Sequence, residues 1–308
     1  MYRHFLVPVD GTDACIEAIG HAVEFARSIG ARITFLSLPR EQADESLARR
    51  SMSADVERGD RDWELLARAE AAARAQGVPC SSCAAGDGAS FPLIVAAARE
   101  HDCDLICMAP RVRPVEPAEP LESGAGACDD FDGVDAAVLI CPVHRRPAHS
   151  RVIGTLLHEH RAIADELHAW LSMLRNARTG GISRERAPMR ESIRRLRDLL
   201  AHRHRSKEEL WLHPRLRDRT SAVDAELDEL DRQHQRHEAL LEELAVMVDH
   251  EVQAGASAER IEQAVKTYAQ FTWEHMGREE GVVLPAARRH LRDEDWLEIA
   301  TAFDAMLR

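Results

Sequence analysis

The chain has 308 residues, 45% of them apolar, and its 53 acidic against 40 basic side chains leave a formal charge of −13. That length has room for two cores of ordinary size, and that charge argues against nucleic-acid binding through a broad basic surface. No apolar run approaches the roughly 20 residues that span a bilayer and the start lacks a signal-peptide profile, so a cytoplasmic protein without membrane contact is expected.

The first half alternates strand and helix. His4-Phe-Leu-Val-Pro-Val-Asp10-Gly11-Thr12 reads as a buried strand ending in a turn. A helix follows from about Asp13 to Ile29, then Gly30 and a second apolar strand, Ile33 to Leu38. Further helices are expected over Trp63 to Gln76 and Phe91 to His101, with strands at Leu105 to Ala109 and Ala136 to Cys141. Such alternation predicts a Rossmann-like α/β domain, a parallel sheet with helices on both faces. All seven cysteines lie at or before Cys141, and their odd number without an export signal favours reduced thiols. Cys80-Ser-Ser-Cys83 has the spacing of a redox pair or half a zinc site that Cys103 and Cys107 could complete. The competing reading is four small buried residues on neighbouring strands.

These pieces resemble a universal stress protein domain, over about residues 1–143. The landmarks are Val7-Pro-Val-Asp10-Gly11-Thr12, Gly30-Ala31, Asp104-Leu-Ile-Cys-Met-Ala109 and Ala137-Val-Leu-Ile140. In family members that bind ATP, the acidic residue after strand one and a glycine-rich segment after strand four hold the nucleotide. Asp10 carries over as a candidate nucleotide contact. The glycines do not, because the segment reads Met108-Ala-Pro-Arg111-Val-Arg113-Pro, then an acidic, proline-rich run to Glu122 and Ser123-Gly124-Ala-Gly126. The resemblance also implies a homodimer formed through this domain.

A polar linker at 144–151 leads into a helical region, 152–308. Helices are expected from about Arg151 to Arg178 and from about Ala222 to Ala254, with His160 and His234 inside their apolar stripes. Between and after them, one string occurs twice: His204-x3-Glu208-Glu209-x4-Pro214 and His275-x3-Glu279-Glu280-x4-Pro285. Positions i and i+4 share a helix face, so each copy aims an imidazole and a carboxylate in one direction, and each proline predicts a helix end. Ile193, Leu196 and Leu200 before the first copy, and Ile261, Val265 and Tyr268 before the second, put these pairs on core-facing stripes. Buried ions cost several kcal/mol unless compensated, and a bound cation compensates them. One helical hairpin repeated gives an antiparallel four-helix bundle around a central site, with a last helix, Asp295 to Leu307, capping it.

This half resembles the hemerythrin-like (HHE cation-binding) family, whose pattern is a His, a His-x3-Glu, a His and a His-x3-Glu on successive helices. It carries over to His160, to His204 and Glu208, to His234, and to His275 and Glu279. The resemblance implies two non-haem irons, carboxylate- and oxo-bridged, with both Glu bridging and the histidines divided between the metals. Oxygen-carrying relatives have a second His one turn on in helix three, where this chain has Glu238. His237 is an alternative or additional ligand, and Tyr268 is either a pocket wall or a core residue. His158, His168, His202, His213, His250 and His290 fall off the inner stripes or near helix ends and read as surface histidines. With six protein ligands for two irons, positions stay open to oxygen, nitric oxide or peroxide, which implies sensing or processing of such molecules in a stress response, with catalysis left open. The alternative is a nucleotide-binding stress protein whose bundle stores or buffers iron.

Overall fold

A computed structural model describes residues 2–38, 52–85, 90–110, 135–141, 147–180, 186–254 and 258–306. In the first part, β1 (His4–Val9), β2 (Arg32–Ser37), β3 (Cys80–Ala84), β4 (Leu105–Met108) and β5 (Ala137–Ile140) form one parallel sheet in the order β3-β2-β1-β4-β5. The apolar β1 is central, with Phe5 opposite Ile33 on one side and Leu105 on the other, and all six of its residues are buried. The edge strand β3, Cys-Ser-Ser-Cys-Ala, is half exposed, and it bears out the reading of Cys80 and Cys83 as small residues on a strand. Helices α1 (Asp13–Ile29) and α2 (Met52–Ala75) cover one face, where Phe5, Val7 and Ile33 meet Ala22, Val23 and Ala72. Helix α3 (Ser90–Glu100) covers the other, with Ile94 and Ala97 on Leu6, Leu36 and Ile106. The first eleven residues of α2 carry six charges and no regular apolar stripe, which is why the sequence predicts its start only at Trp63.

Residues three apart on a strand point to opposite faces. Cys80 therefore joins Cys107 and Cys141 under α1 and α2, while Cys83 joins Cys103 under α3. The four thiols cannot converge on one metal. Burial pushes the Cys103 and Cys107 thiols up to about 12, where they remain protonated.

The second part is a ring of four helices, α4 (Pro147–Gly180), α5 (186–219), α6 (Asp224–Ala254) and α7 (258–290), each touching two neighbours. Helix α4 starts inside the stretch expected to be linker, because Pro147 suits a first helical position, where no N–H is needed. Helix α8 (Asp293–Met306) closes one end, with Trp296, Ile299 and Phe303 on Val152, Leu156 and Leu157. Helices α5 and α7 contain wide π-helical turns, Asp198–His204 and Glu208–Leu212 in the first, Glu279–Val283 in the second. Here the structure corrects the sequence: neither Pro214 nor Pro285 ends its helix, which runs on to Arg219 and His290. A proline lacks an N–H and crowds the carbonyl one turn back, and a wide turn just before it relieves both conflicts.

The two parts share a core. Ala67 of α2 belongs to the apolar cluster that holds Leu167, Trp170, Val265 and Trp273 of the bundle. Trp63 meets Trp273 edge-on, ring centroids 4.5 Å apart. Helix α2 thus serves as sheet cover on one side and as a fifth bundle neighbour on the other.

Candidate metal centre

The six residues expected to hold metal lie together at the centre of the bundle, each no more than 4% exposed. Glu279 Oε2 is 2.9 Å from His160 Nε2 and 3.5 Å from His204 Nε2. Its other oxygen, Oε1, is 2.8 Å from His275 Nε2 and 3.9 Å from His234 Nε2. Glu208 Oε2 lies 3.4 Å from both His204 Nε2 and His234 Nε2. Two overlapping donor sets result, His160-His204-Glu279 and Glu208-His234-His275-Glu279, with Glu279 common to both. The wide turns fall at His204, Glu208 and Glu279, consistent with the tendency of π-bulges to occur where a helix must re-aim functional side chains.

Every one of the four histidines turns Nε2 inward because its Nδ1 is engaged outside. His160 donates to Glu280 at 2.7 Å and His234 to Glu209 at 2.9 Å. His204 donates to Glu159 at 3.2 Å and His275 to Gln233 Oε1 at 3.0 Å. Gln233 is itself oriented by donating its amide to Glu229 at 2.8 Å. Outer acceptors of this kind fix the tautomer and ring plane of a metal-binding imidazole and raise its basicity. The pattern is two-fold: the second Glu of each His-x3-Glu-Glu string orients the lone histidine of a neighbouring helix, and the residue preceding each lone histidine orients the histidine of the string.

The donor chemistry fits a cation. Glu208 Oε2, His234 Nε2, His275 Nε2 and both Glu279 oxygens are buried without an aligned hydrogen bond among the described residues. Each such group costs about 1–3 kcal/mol if left unmade, and all five converge on one region. Electrostatics point the same way. Burial opposes a charged imidazole at His204, yet Glu208, Glu159 and Glu279 raise it well above its usual value. Burial likewise opposes ionisation of Glu279, and His275, His160 and His204 outweigh it and hold the carboxyl well below the usual range. The pocket favours positive charge. Four imidazoles and two carboxylates suit a divalent transition metal such as iron, zinc or manganese.

His237 is buried beside this set without belonging to either donor group. Its Nδ1 shares a hydrogen bond with the Tyr268 hydroxyl at 3.3 Å, its Nε2 has no partner among the described residues, and its ring centroid lies 4.9 Å from that of His275. Burial, then His275 and His234, push it well below the usual value and keep it neutral. Of the histidines expected at the surface, His158, His202 and His250 are there, and His213 and His168 show why others are not. His213 is buried, its ring parallel to that of His234 at 6.4 Å, because the wide turn before it rotates the helix inward. His168 is half-buried and donates to Glu64 of α2 at 2.7 Å, covered by a domain the sequence gives no means to dock there. Asp10, the candidate nucleotide contact, accepts from Thr12 N and Oγ1 at 2.9 and 2.8 Å and so shapes the turn that caps α1. The segment after β4 expected to hold phosphates lies at 111–134, outside the described residues.

A fold of this kind, an α/β stress-type domain beside a His/Glu-lined bundle, matches known families over both parts. Residues 151–287 match the hemerythrin HHE cation binding domain, and residues 1–116 match the universal stress protein family. The chain therefore joins an N-terminal universal stress protein domain to a C-terminal hemerythrin HHE domain. Among solved structures it is similar to a universal stress family protein from Burkholderia pseudomallei, at 21% identity, covering 46% of this chain and 97% of that one, with a TM-score of 0.36. A universal stress protein from Archaeoglobus fulgidus gives 22% identity, 46% and 98% coverage and a TM-score of 0.33. No curated protein matches significantly. Among the described residues no helix is long and apolar enough to cross a membrane.

Proposed function

We propose that the bundle would hold two irons, with Glu208 and Glu279 as their carboxylate ligands, and that the protein senses or processes oxygen, nitric oxide or reactive oxygen in a stress response. The observation that carries this is the shared Glu279, whose two oxygens face different histidine pairs. His160 and His204 would hold one ion, and His234 and His275 the other. Bound iron would supply redox change and exchangeable coordination positions. The chain's own part is to orient four Nε2 atoms, to exclude bulk water and to offer a small recess for the ligand. A cavity of about 20 Å³ borders the site, lined in part by Leu200, Ala201, His204, His234, His237 and Leu241. That volume has room for a water or a small ligand such as dioxygen, nitric oxide or peroxide. The unpartnered Nε2 of His237 stands at its wall as a hydrogen-bond partner for such a ligand, or as a further metal ligand. In this reading the protein works in the cytoplasm with its thiols reduced. A homodimer contact through the N-terminal domain fits the edge strand β5, where Leu139 and Ile140 are exposed.

A nucleotide-dependent role with iron merely stored in the bundle draws less support, because Asp10 Oδ1 is engaged in its own turn and the sequence directly after β4 lacks the family's glycines. The metal content and visible spectrum of aerobically purified protein, beside a Glu208→Ala/Glu279→Ala variant, test the proposal. About two irons per chain with ferric charge-transfer bands, both lost in the variant, are expected. Metal-free protein that folds and resists reconstitution with iron would sink it.

A further inference from the structure

The two outer glutamates are held by different cations. Glu209 takes Arg205, one turn earlier in its own helix, Nε to Oε1 at 2.8 Å. The position matching Arg205 in the second string is Met276, buried and uncharged. Glu280 instead takes Arg68, from α2 of the N-terminal domain, with Nε donating to Oε2 at 3.1 Å and Nη2 to Oε1. A planar guanidinium gripping a carboxylate at two points fixes that carboxylate's plane. Burial opposes ionisation of Glu280, and Arg68 and His160 outweigh it and hold its carboxyl below the usual range. The remaining arm of Arg68, Nη1, donates to Glu64 Oε1 at 2.6 Å, and Glu64 in turn takes His168 of α4.

The backbones are held as closely as the charges. Gly277 and Gly281 of α7 face α2: a Cβ at 277 would lie 2.7 Å from Arg68 Cα, and one at 281 would lie 2.8 Å from Ala72 Cα. A small cavity, about 20 Å³, lies between the domains at this level, bordered by Gly11, Leu65, Arg68, Gly277 and Glu280.

We propose that Arg68 is a positioning residue of the metal centre, through which the N-terminal domain clamps Glu280 and thereby His160 in the orientation that presents Nε2 to the metal. The proposal rests on the two-metal reading above. The two metal positions then differ in ownership. The outer acceptors of the His234–His275 position are held within the bundle, whereas that of His160 depends on the docking of α2.

Anaerobic titration of the full chain with ferrous iron tests this, following both binding steps in wild type, Arg68→Met, Arg68→Lys, Glu280→Gln and Arg68→Met/Glu280→Gln. A wild-type chain that binds no iron defeats the metal-centre reading itself, and the clamp with it. Where wild type binds two ions, Arg68→Met is expected to weaken one step about 10–100-fold and to leave the other nearly unchanged, with partial rescue by Arg68→Lys. Because Arg68 acts through Glu280, adding Arg68→Met to Glu280→Gln should change neither step further. Two unaltered steps in Arg68→Met, or an equal loss with and without Glu280→Gln, would overturn the proposal. If Arg68→Met fails to fold because Glu280 is left buried without its cation, the double variant removes that charge, Glu64 keeping His168 as its partner, and is compared with Glu280→Gln alone. Equal affinities then support the clamp, and a further loss refutes it.

Discussion

The hairpins α4–α5 and α6–α7 present the same inward set, a lone histidine from one helix and a His-x3-Glu pair from the other, yet they differ in what stands behind it. In the first, His204 leans on Glu159, whose charge is balanced by the buried ammonium of Lys207. In the second, His275 leans on the neutral Gln233, and Arg278, at the position matching Lys207, turns away to pair with Glu226 at 2.7 and 2.9 Å. The outer acceptor of His234 is balanced within α5, and that of His160 by another domain. Similar rings of ligands can therefore rest on unlike supports, and the ligands alone do not reveal which half is autonomous.

The sharpest break in that comparison comes from the shared carboxylate. Glu279→Ala should abolish binding of both ions, whereas Glu208→Ala leaves His160, His204 and Glu279 intact and should retain about one. Elemental analysis of the two variants decides, and equal losses would remove the distinction between the donor sets. Next in size, Glu159→Ala strands the Lys207 charge and should cost about 3–5 kcal/mol, against about 1 kcal/mol for Gln233→Ala, measured by denaturant unfolding of metal-free protein. Similar costs would mean the two supports are equivalent after all.

Gly277→Ala should destabilise by about 1–3 kcal/mol through overpacking on α2. Gly154→Ala, on an open position of α4, should stabilise by about 0.5–1 kcal/mol, and thermal melting separates the two signs. The smallest effect concerns Glu64. Burial opposes its ionisation, but His168 and Arg68 outweigh it and hold its carboxyl below the usual range. A depressed folded value means its contribution is complete above the unfolded value of about 4.3 and is lost as pH falls through the folded one. Stability measured from pH 6 to pH 3 should therefore fall less steeply in Glu64→Gln than in wild type.

Much of this was legible because helical periodicity is a local signal. The stripes around His160, His204, His234 and His275 predicted four inward helices, and the family resemblance supplied the set of six candidate ligands with His237 as an alternative. What stayed hidden depends on distance or on irregularity. Glu209 and Glu280 were visible as the second letters of a repeated pair, but their role requires knowing which helix is adjacent. Arg68 lies 212 positions before Glu280, and no local pattern links them. Pro214 and Pro285 misled because a wide turn, not a helix end, absorbs them, and the same turn carries His213 inward. In the sheet, β3 surfaced only in the reading of Cys80 and Cys83 as strand residues and had no range of its own, because an edge strand needs no apolar alternation.

The wide turns also make length a constraint. Each holds one residue more than a regular turn, so the helix beyond it is offset by about 100° from an uninterrupted one. In α7 the upstream stretch is thereby phased to the pocket through Tyr268 and His275, and the downstream stretch to the α8 core through Leu284 and Ala287. Removing one residue between 279 and 283 would let the helix regularise and swing that second stretch out of its core. Along this segment the chain keeps count as well as composition, and a deletion would disturb the packing beyond the turn as well as the pocket before it.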